Sequence, residues 1–344
     1  MKKRTYKISR IKNHFFIDVV FYPKKLTIMK TTFSTLLFFW MAFQATSQGC
    51  SDAGFCTMGA MRPDQHKSKI LKLKLNSLEF TQHYAFTRFG DMYLSYIIDV
   101  DLPIASKTSF HFKLPYTFIF NQLPTTHGLG DISLSFTRNL LQSQDWNINF
   151  TLGGKIPTNG NNLSYKGIPL PSYYQSSLGT YDLVVGMGII YKNWLFATGY
   201  QQAFNRTRNQ FLRYVLDGEA HNSFDGTEYF SQANSYANSK ELMRSPDVMA
   251  RLERNFRISR FNAHAGLLAI YRLQDDEATN FKGERFRIVG SKGLTLNGLI
   301  GANYRLSANS AIKFLYGKKP TVKDRNPDGL GREYVINIGF ERRF

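Results

Sequence analysis

Twelve stretches of the chain alternate apolar and polar residues with a period of two, and this repeat limits the fold more than any other feature. In Ile132-Ser133-Leu134-Ser135-Phe136-Thr137 the even positions are apolar and the odd ones small and polar. Trp146–Leu152, Tyr181–Ile189, Leu294–Asn297 and Tyr334–Phe340 repeat the pattern. A chain of this kind presents two different faces as an extended strand. The segments run over 69–87, 90–103, 108–121, 130–141, 145–157, 180–192, 194–204, 246–258, 260–273, 292–306, 309–319 and 332–344. Several reach or exceed the roughly 9–11 residues that a tilted membrane strand requires. From the second link onward, short links (105–107, 142–144, 192–193, 259, 307–308) alternate with long ones (122–129, 158–179, 205–245, 274–291, 320–331); the first, near Arg88, is short as well. Alternating turns and loops predict an all-β fold. The expected architecture is a transmembrane antiparallel β-barrel of about twelve strands over 67–344, with short periplasmic turns and long extracellular loops.

Composition agrees with this reading. Hydrophobic residues make up 43% and charged residues 20% of the 344, which excludes a disordered chain. The only long apolar run lies near the N-terminus, which excludes a polytopic helical membrane protein. On the third segment Phe110, Phe112, Leu114, Tyr116, Phe118 and Phe120 share one face, and His111, Lys113 and Thr117 the other. In lipid the aromatic face points outward, with Tyr and Trp near strand ends as girdles. Gly153, Gly186, Gly188, Gly266, Gly301 and Gly339 on the polar face would relieve crowding in a narrow lumen.

The N-terminus reads as export machinery. Residues 1–28, with eight Lys/Arg and one acid, resemble an over-long translation start. Met29-Lys30, the apolar Phe33–Phe43 and Ala45-Thr46-Ser47 form a signal peptide over 29–47. These leading residues carry +8 of the net +19, leaving +11, and no basic stripe with a nucleic-acid reading motif is visible. Residues 48–66 are expected in the periplasm or as a small plug in the lumen. In an exported protein Cys50 and Cys56 most often close a disulfide. A lipid on Cys50, or copper(I) on Cys50, Cys56, Met58, Met61 and His66, are the alternatives. The terminal Phe344 on an alternating strand resembles the sorting signal read by the barrel-assembly machinery of Gram-negative outer membranes.

Three runs carry a closer resemblance: Gly128-Leu129-Gly130-Asp131-Ile132-Ser133-Leu134, Leu152-Gly153-Gly154-Lys155-Ile156-Pro157-Thr158, and Leu178-Gly179-Thr180-Tyr181-Asp182-Leu183 with Trp194 after it. Together they resemble the transporter family named for the MetA pathway of phenol degradation, outer-membrane channels similar to the long-chain fatty-acid transporter barrels. The resemblance implies a barrel in outer-membrane lipid that passes hydrophobic or aromatic compounds.

No Gly-x-Ser-x-Gly elbow accompanies the histidines, so no enzyme and no cofactor are expected. Asp324-Arg325-Asn326-Pro327-Asp328-Gly329 matches the first half of a calcium loop, but Val335 stands where a bidentate Glu is needed, so no metal is expected. Strand alternation assigns Lys113, Lys155, Lys192, Arg251, Arg272, Arg305, Lys313, Asp99, Asp131, Asp182, His111 and His264 to the lumen face. Excess Lys/Arg there would bias a pore toward small anionic solutes. Phe211, Leu212, Tyr214, Val215 and Leu216 in the longest loop form a candidate gate. The expected function is a passive channel or uptake barrel for a small-molecule solute that is hydrophobic, aromatic or anionic. A closed structural or adhesion barrel is the alternative, and a barrel enzyme a more distant one.

Overall fold

The structure is a computed structural model that describes residues 57–62, 75–213, 215–216, 219–220, 233–321 and 323–344. The expected signal peptide, Cys50, Cys56, His66, Tyr214 and the expected strand residues 69–74 lie outside the described residues.

Nineteen strands follow one another in the order β1 (Ser77–Phe86), β2 (Met92–Ala105), β3 (Thr108–Phe120), β4 (Thr126–Leu129), β5 (Ile132–Gln142), β6 (Trp146–Ile156), β7 (Ser164–Tyr165), β8 (Ile168–Pro169), β9 (Asp182–Tyr191) and β10 (Trp194–Ala203). The remainder are β11 (Val215–Leu216), β12 (Glu219–Ala220), β13 (Asp247–Ile258), β14 (Phe261–Arg272), β15 (Glu277–Thr279), β16 (Arg285–Arg287), β17 (Gly293–Arg305), β18 (Ser310–Lys318) and β19 (Tyr334–Arg343). Twelve long strands pair antiparallel with their neighbours. β1 against β19 closes the ring, Ser77 facing Arg343 and Phe86 facing Tyr334. The expected all-β, twelve-stranded transmembrane barrel is therefore the observed fold, with strand bounds mostly within two or three residues of those read from the alternation.

The alternation works as the physics requires. Phe80, Phe136, Phe150, Leu152, Phe196, Leu267, Ile300 and Ile338 are exposed on the outer face, where a bilayer would cover them. Polar residues of the same strands, among them Thr81, Ser95, Ser133, Thr151, Gln201 and Asn297, are buried inside.

One strand breaks the regular ladder for a visible reason. Pro115 has no N–H to donate, and it lies mid-strand in β3. Register runs from Tyr116↔Leu129 to Lys113↔Ser133, so Leu114 and Pro115 oppose the three residues Gly130, Asp131 and Ile132. This bulge between β4 and β5 sits where the ladder lacks a donor, and Gly130 N donates to the Pro115 carbonyl at 2.8 Å. The expected strand 130–141 thus starts beyond a kink that turns Asp131 into the lumen.

Candidate functional site

The lumen has two unlike halves. Val184, Leu195, Ala197, Met249, Leu268 and Leu299, from β9, β10, β13, β14 and β17, form an apolar inner wall. Met58, just before a 3-10 turn at Gly59–Met61, and Met61, its last residue, pack into it. Both thioethers are buried against this wall, while Cys50, Cys56 and His66 of the copper-ligand alternative lie outside the described residues. The turn fits because the wall beneath it lacks side chains. A Cβ on Gly188 would stand 2.2 Å from the Ala60 carbonyl oxygen, and one on Gly186 2.4 Å from Met61 Sδ. Ala60 N donates to Thr151 Oγ1 at 2.7 Å, and Arg251 Nη1 donates to the Met61 carbonyl at 2.9 Å.

The other half, formed by β1, β2, β3, β5, β18 and β19, is charged. Arg62, just after the turn, reaches Glu79 at 3.4 Å and Asp99 at 3.3 Å. Lys113 Nζ lies 3.4 Å from Asp99 and donates to Thr57 Oγ1 at 3.0 Å. Lys313 bridges Glu79 at 2.8 Å and Glu341 at 3.2 Å. Above this network lies a cavity of about 200 Å³. Lys155, Asp131, His83 and His264 line it together with Tyr93, Ile97, Pro115, Leu178 and Leu330. Ser177 and Leu178 N hold Asp131 at 2.5 Å and 3.1 Å. His264 is buried and neither ring nitrogen has a hydrogen-bond partner among the described residues.

Inward-folded loops cover the other end. Phe211, Leu170, Tyr173, Tyr174 and Tyr236 pack on Ile119 and Val335 of the wall. Tyr174 and Tyr236 both donate to Asp91 Oδ1, at 2.6 Å and 2.7 Å, so one carboxylate ties two loops to the β1–β2 link. Burial and this carboxylate hold both phenols above their usual range. Beside them Arg272 forks onto Asp247 at 2.8 Å and 3.0 Å, and reaches Asp276 at 2.6 Å and Asp328 at 2.7 Å. Arg244 joins Asp182 at 2.9 Å and lies 3.8 Å from Asp328. Burial alone would raise the Asp328 carboxyl, but Arg272, Lys323 and Arg244 outweigh it and hold the group below the usual carboxylate range.

These positions sort the sequence candidates. Lys113, Lys155, Lys313, Asp99, Asp131 and His264 line the cavity. Arg251 holds the turn, whereas Arg272 and Asp182 belong to the loop clasp. Arg305 is exposed at the turn end of β17, and Lys192 sits in the β9–β10 turn with a left-handed φ of 51°. Alternation counts parity but does not see where a strand leaves the lumen. Of the gate candidates, Phe211 is buried in the cap, Leu212 is half-buried, Tyr214 is outside the described residues, and the backbone of Val215 and Leu216 forms β11 against β12. Asp328 of the calcium-like run gives its carboxylate to arginines. Arg62, Arg244 and Tyr236 were not legible as site residues, because each acquires its role from partners far away in the chain; alternation places Asp91 on the inward face but does not supply its two tyrosine partners.

One arrangement has the connectivity of an acyl-transfer triad. Ser109 Oγ lies 3.0 Å from His111 Nε2, and His111 Nδ1 lies 3.4 Å from Asp101 Oδ1. The small space beside His111 measures about 10 Å³, and the neighbouring backbone of β2, β3 and β5 is paired in the sheet.

No protein-family model matches the chain, and no curated protein matches it. Among solved structures, the COG4313 outer membrane channel from Pseudomonas putida F1 aligns with TM-score 0.52 and 12% identity over 82% of this chain and 99% of that one. The NanC porin aligns at 0.43 and 9%, over 78% and 100%. Outer membrane phospholipase A from Escherichia coli aligns at 0.35 and 9%, over 78% and 92%. Only the first likeness is strong enough to use, and it concerns the fold, which is that of outer-membrane barrels.

Proposed function

We propose that this protein is an outer-membrane uptake barrel that holds a small solute in the cavity between the 57–62 turn and the loop cap. The cavity itself carries this reading, being about 200 Å³ and lined by Lys113 and Lys155, by the carboxylates of Asp99 and Asp131, and by Tyr93, Ile97 and Leu330. A space of this size suits a molecule on the scale of a single ring, since an apolar cavity of about 150 Å³ takes benzene. The mixed lining favours a solute with one apolar and one anionic part. Passage requires the turn to leave its seat, so conductance should be low and intermittent. The resemblance to phenol-pathway transporters supports the apolar part of that solute.

A second reading, a closed structural barrel, draws support from the clasp on the loop side and the packed turn on the other. Planar-bilayer recordings at two salt gradients separate the two. Anion-selective steps that lose selectivity in Lys113→Gln/Lys155→Gln support uptake; Arg305→Gln, at the rim, should change selectivity little. If conductance is absent both in the wild type and after replacing 57–62 with a Gly/Ser stretch, the closed barrel stands.

A further inference from the structure

The outer face carries an arrangement that solute passage does not use. Trp146 of β6 faces Tyr191 of β9, Tyr191 faces Trp194 of β10, and Trp194 faces Arg254 of β13. Four adjacent strands thus place one row of side chains on the outside of the barrel, next to the short turns. Trp146 and Tyr191 rings lie 4.4 Å apart. The Arg254 guanidinium lies 4.8 Å from the Trp194 ring centre and 5.6 Å from that of Phe256. Lys192 Nζ lies 5.2 Å from the Tyr191 ring centre. The rings fix both cations at the surface, and among the described residues neither forms an ion pair with an acid.

The surroundings strengthen the charge. At this end of the barrel Lys107, Arg138, Lys192, Arg254, Arg257, Arg260, Arg305 and Arg342 are exposed, against Asp145 as the single exposed acid among the described residues. One step further along the same face come Phe196 and Leu252, and two steps further Phe150 and Met187, all exposed and apolar. Cations in an aromatic belt followed by an apolar band match a lipid from headgroup to chain.

We propose that Arg254 and Lys192, on the Trp194–Tyr191 platform, bind the phosphate of an anionic phospholipid. The turn end of such barrels faces the periplasm, so the lipid belongs to the inner leaflet. A guanidinium stacked by one face keeps its N–H edge for a phosphate oxygen, and the ammonium adds a second contact at the same depth.

The readout is built into the chain. Of the three tryptophans, Trp146 and Trp194 both lie in this row, and Trp40 can be removed as Trp40→Phe. The full chain in phosphatidylcholine vesicles is titrated with brominated phosphatidylglycerol, with brominated phosphatidylcholine in parallel. Stronger quenching by the phosphatidylglycerol is expected, falling with salt and by about five-fold in preference for each charge removed in Arg254→Gln and Lys192→Gln. Arg138→Gln, a basic residue at the same end outside the row, should leave the preference in place. Heat-modifiable gel mobility checks that each variant is folded. Equal quenching by both lipids in the wild type overturns the proposal whether or not the variants fold. So does a preference that survives in the double variant, or enrichment of lipopolysaccharide alone.

Discussion

Two ion-pair networks stand at different heights in this barrel, and they are built differently. In the loop clasp Arg272 is 3% exposed, makes four hydrogen bonds to three carboxylates, and joins strand ends to the loops at 273–292 and 319–333. In the lumen Arg62 is 22% exposed and meets its acids at 3.3–3.4 Å, while Lys113 and Lys313 serve the same carboxylates. The first network leaves uncompensated buried charge when a member is lost. The second can redistribute its pairs, and water can replace them. The comparison teaches that the loop side is fastened while the 57–62 side is merely seated, so opening should begin at the turn.

Removing the clasp should have the largest effect. Arg272→Ala strands Asp247, Asp276 and Asp328, at a cost of about 3–5 kcal/mol. The folded, fast-migrating gel form should disappear at a clearly lower temperature. Arg272→Lys should recover only part, because an ammonium cannot fork onto Asp247. A variant as heat-resistant as the wild type would erase the contrast between the networks.

Gly188→Val tests the seat from the wall side. Its Cβ cannot coexist with the Ala60 carbonyl at 2.2 Å, so the turn should be expelled and bilayer conductance should rise. Heat-modifiable mobility should persist, since the β-ladder is unaffected. An unfolded barrel instead would show that the turn is part of the core.

Lys319 provides a pH test of the loop side. Burial pushes its ammonium from 10.5 down to about 7, Glu333 opposing. Between about pH 7 and 10.5 the unfolded chain therefore binds more protons than the folded one, and stability rises with pH across that window. Thermal unfolding at pH 7 and 9.5 should show the higher midpoint at 9.5, and Lys319→Met should flatten the difference. The smallest effect is expected for Arg62→Ala, about 1 kcal/mol or less, because the pairs are partly solvated and Lys113 and Lys313 remain. A loss comparable to that of Arg272→Ala would mean the lumen network is fastened after all.

How much of this was legible depends on the range of each interaction. The alternation in Ile132–Thr137 or Tyr334–Phe340 requires no distant partner, since a side chain points in or out by parity alone. Lumen positions such as Lys113, Lys155 and Asp131 followed from the same count. The count failed at Arg305 and Lys192, where the strand ends. The five gate candidates were chosen for being apolar, which does not specify a contact; among those whose side chains are described, Phe211 is buried in the cap and Leu212 is half-buried.

The sequence by itself therefore determined the all-β class, the twelve strands, the two faces of the wall and which ends carry turns, because each is set within a few neighbouring residues. Only the tertiary structure decided which charges meet. Arg272 and Asp328 are 56 positions apart, as Arg251 and Met61 are 190 apart, and no local pattern links them. It also decided that Met58 and Met61 pack against glycines of β9 and that Trp146, Tyr191, Trp194 and Arg254 share one row, because strand pairing sets register across the barrel.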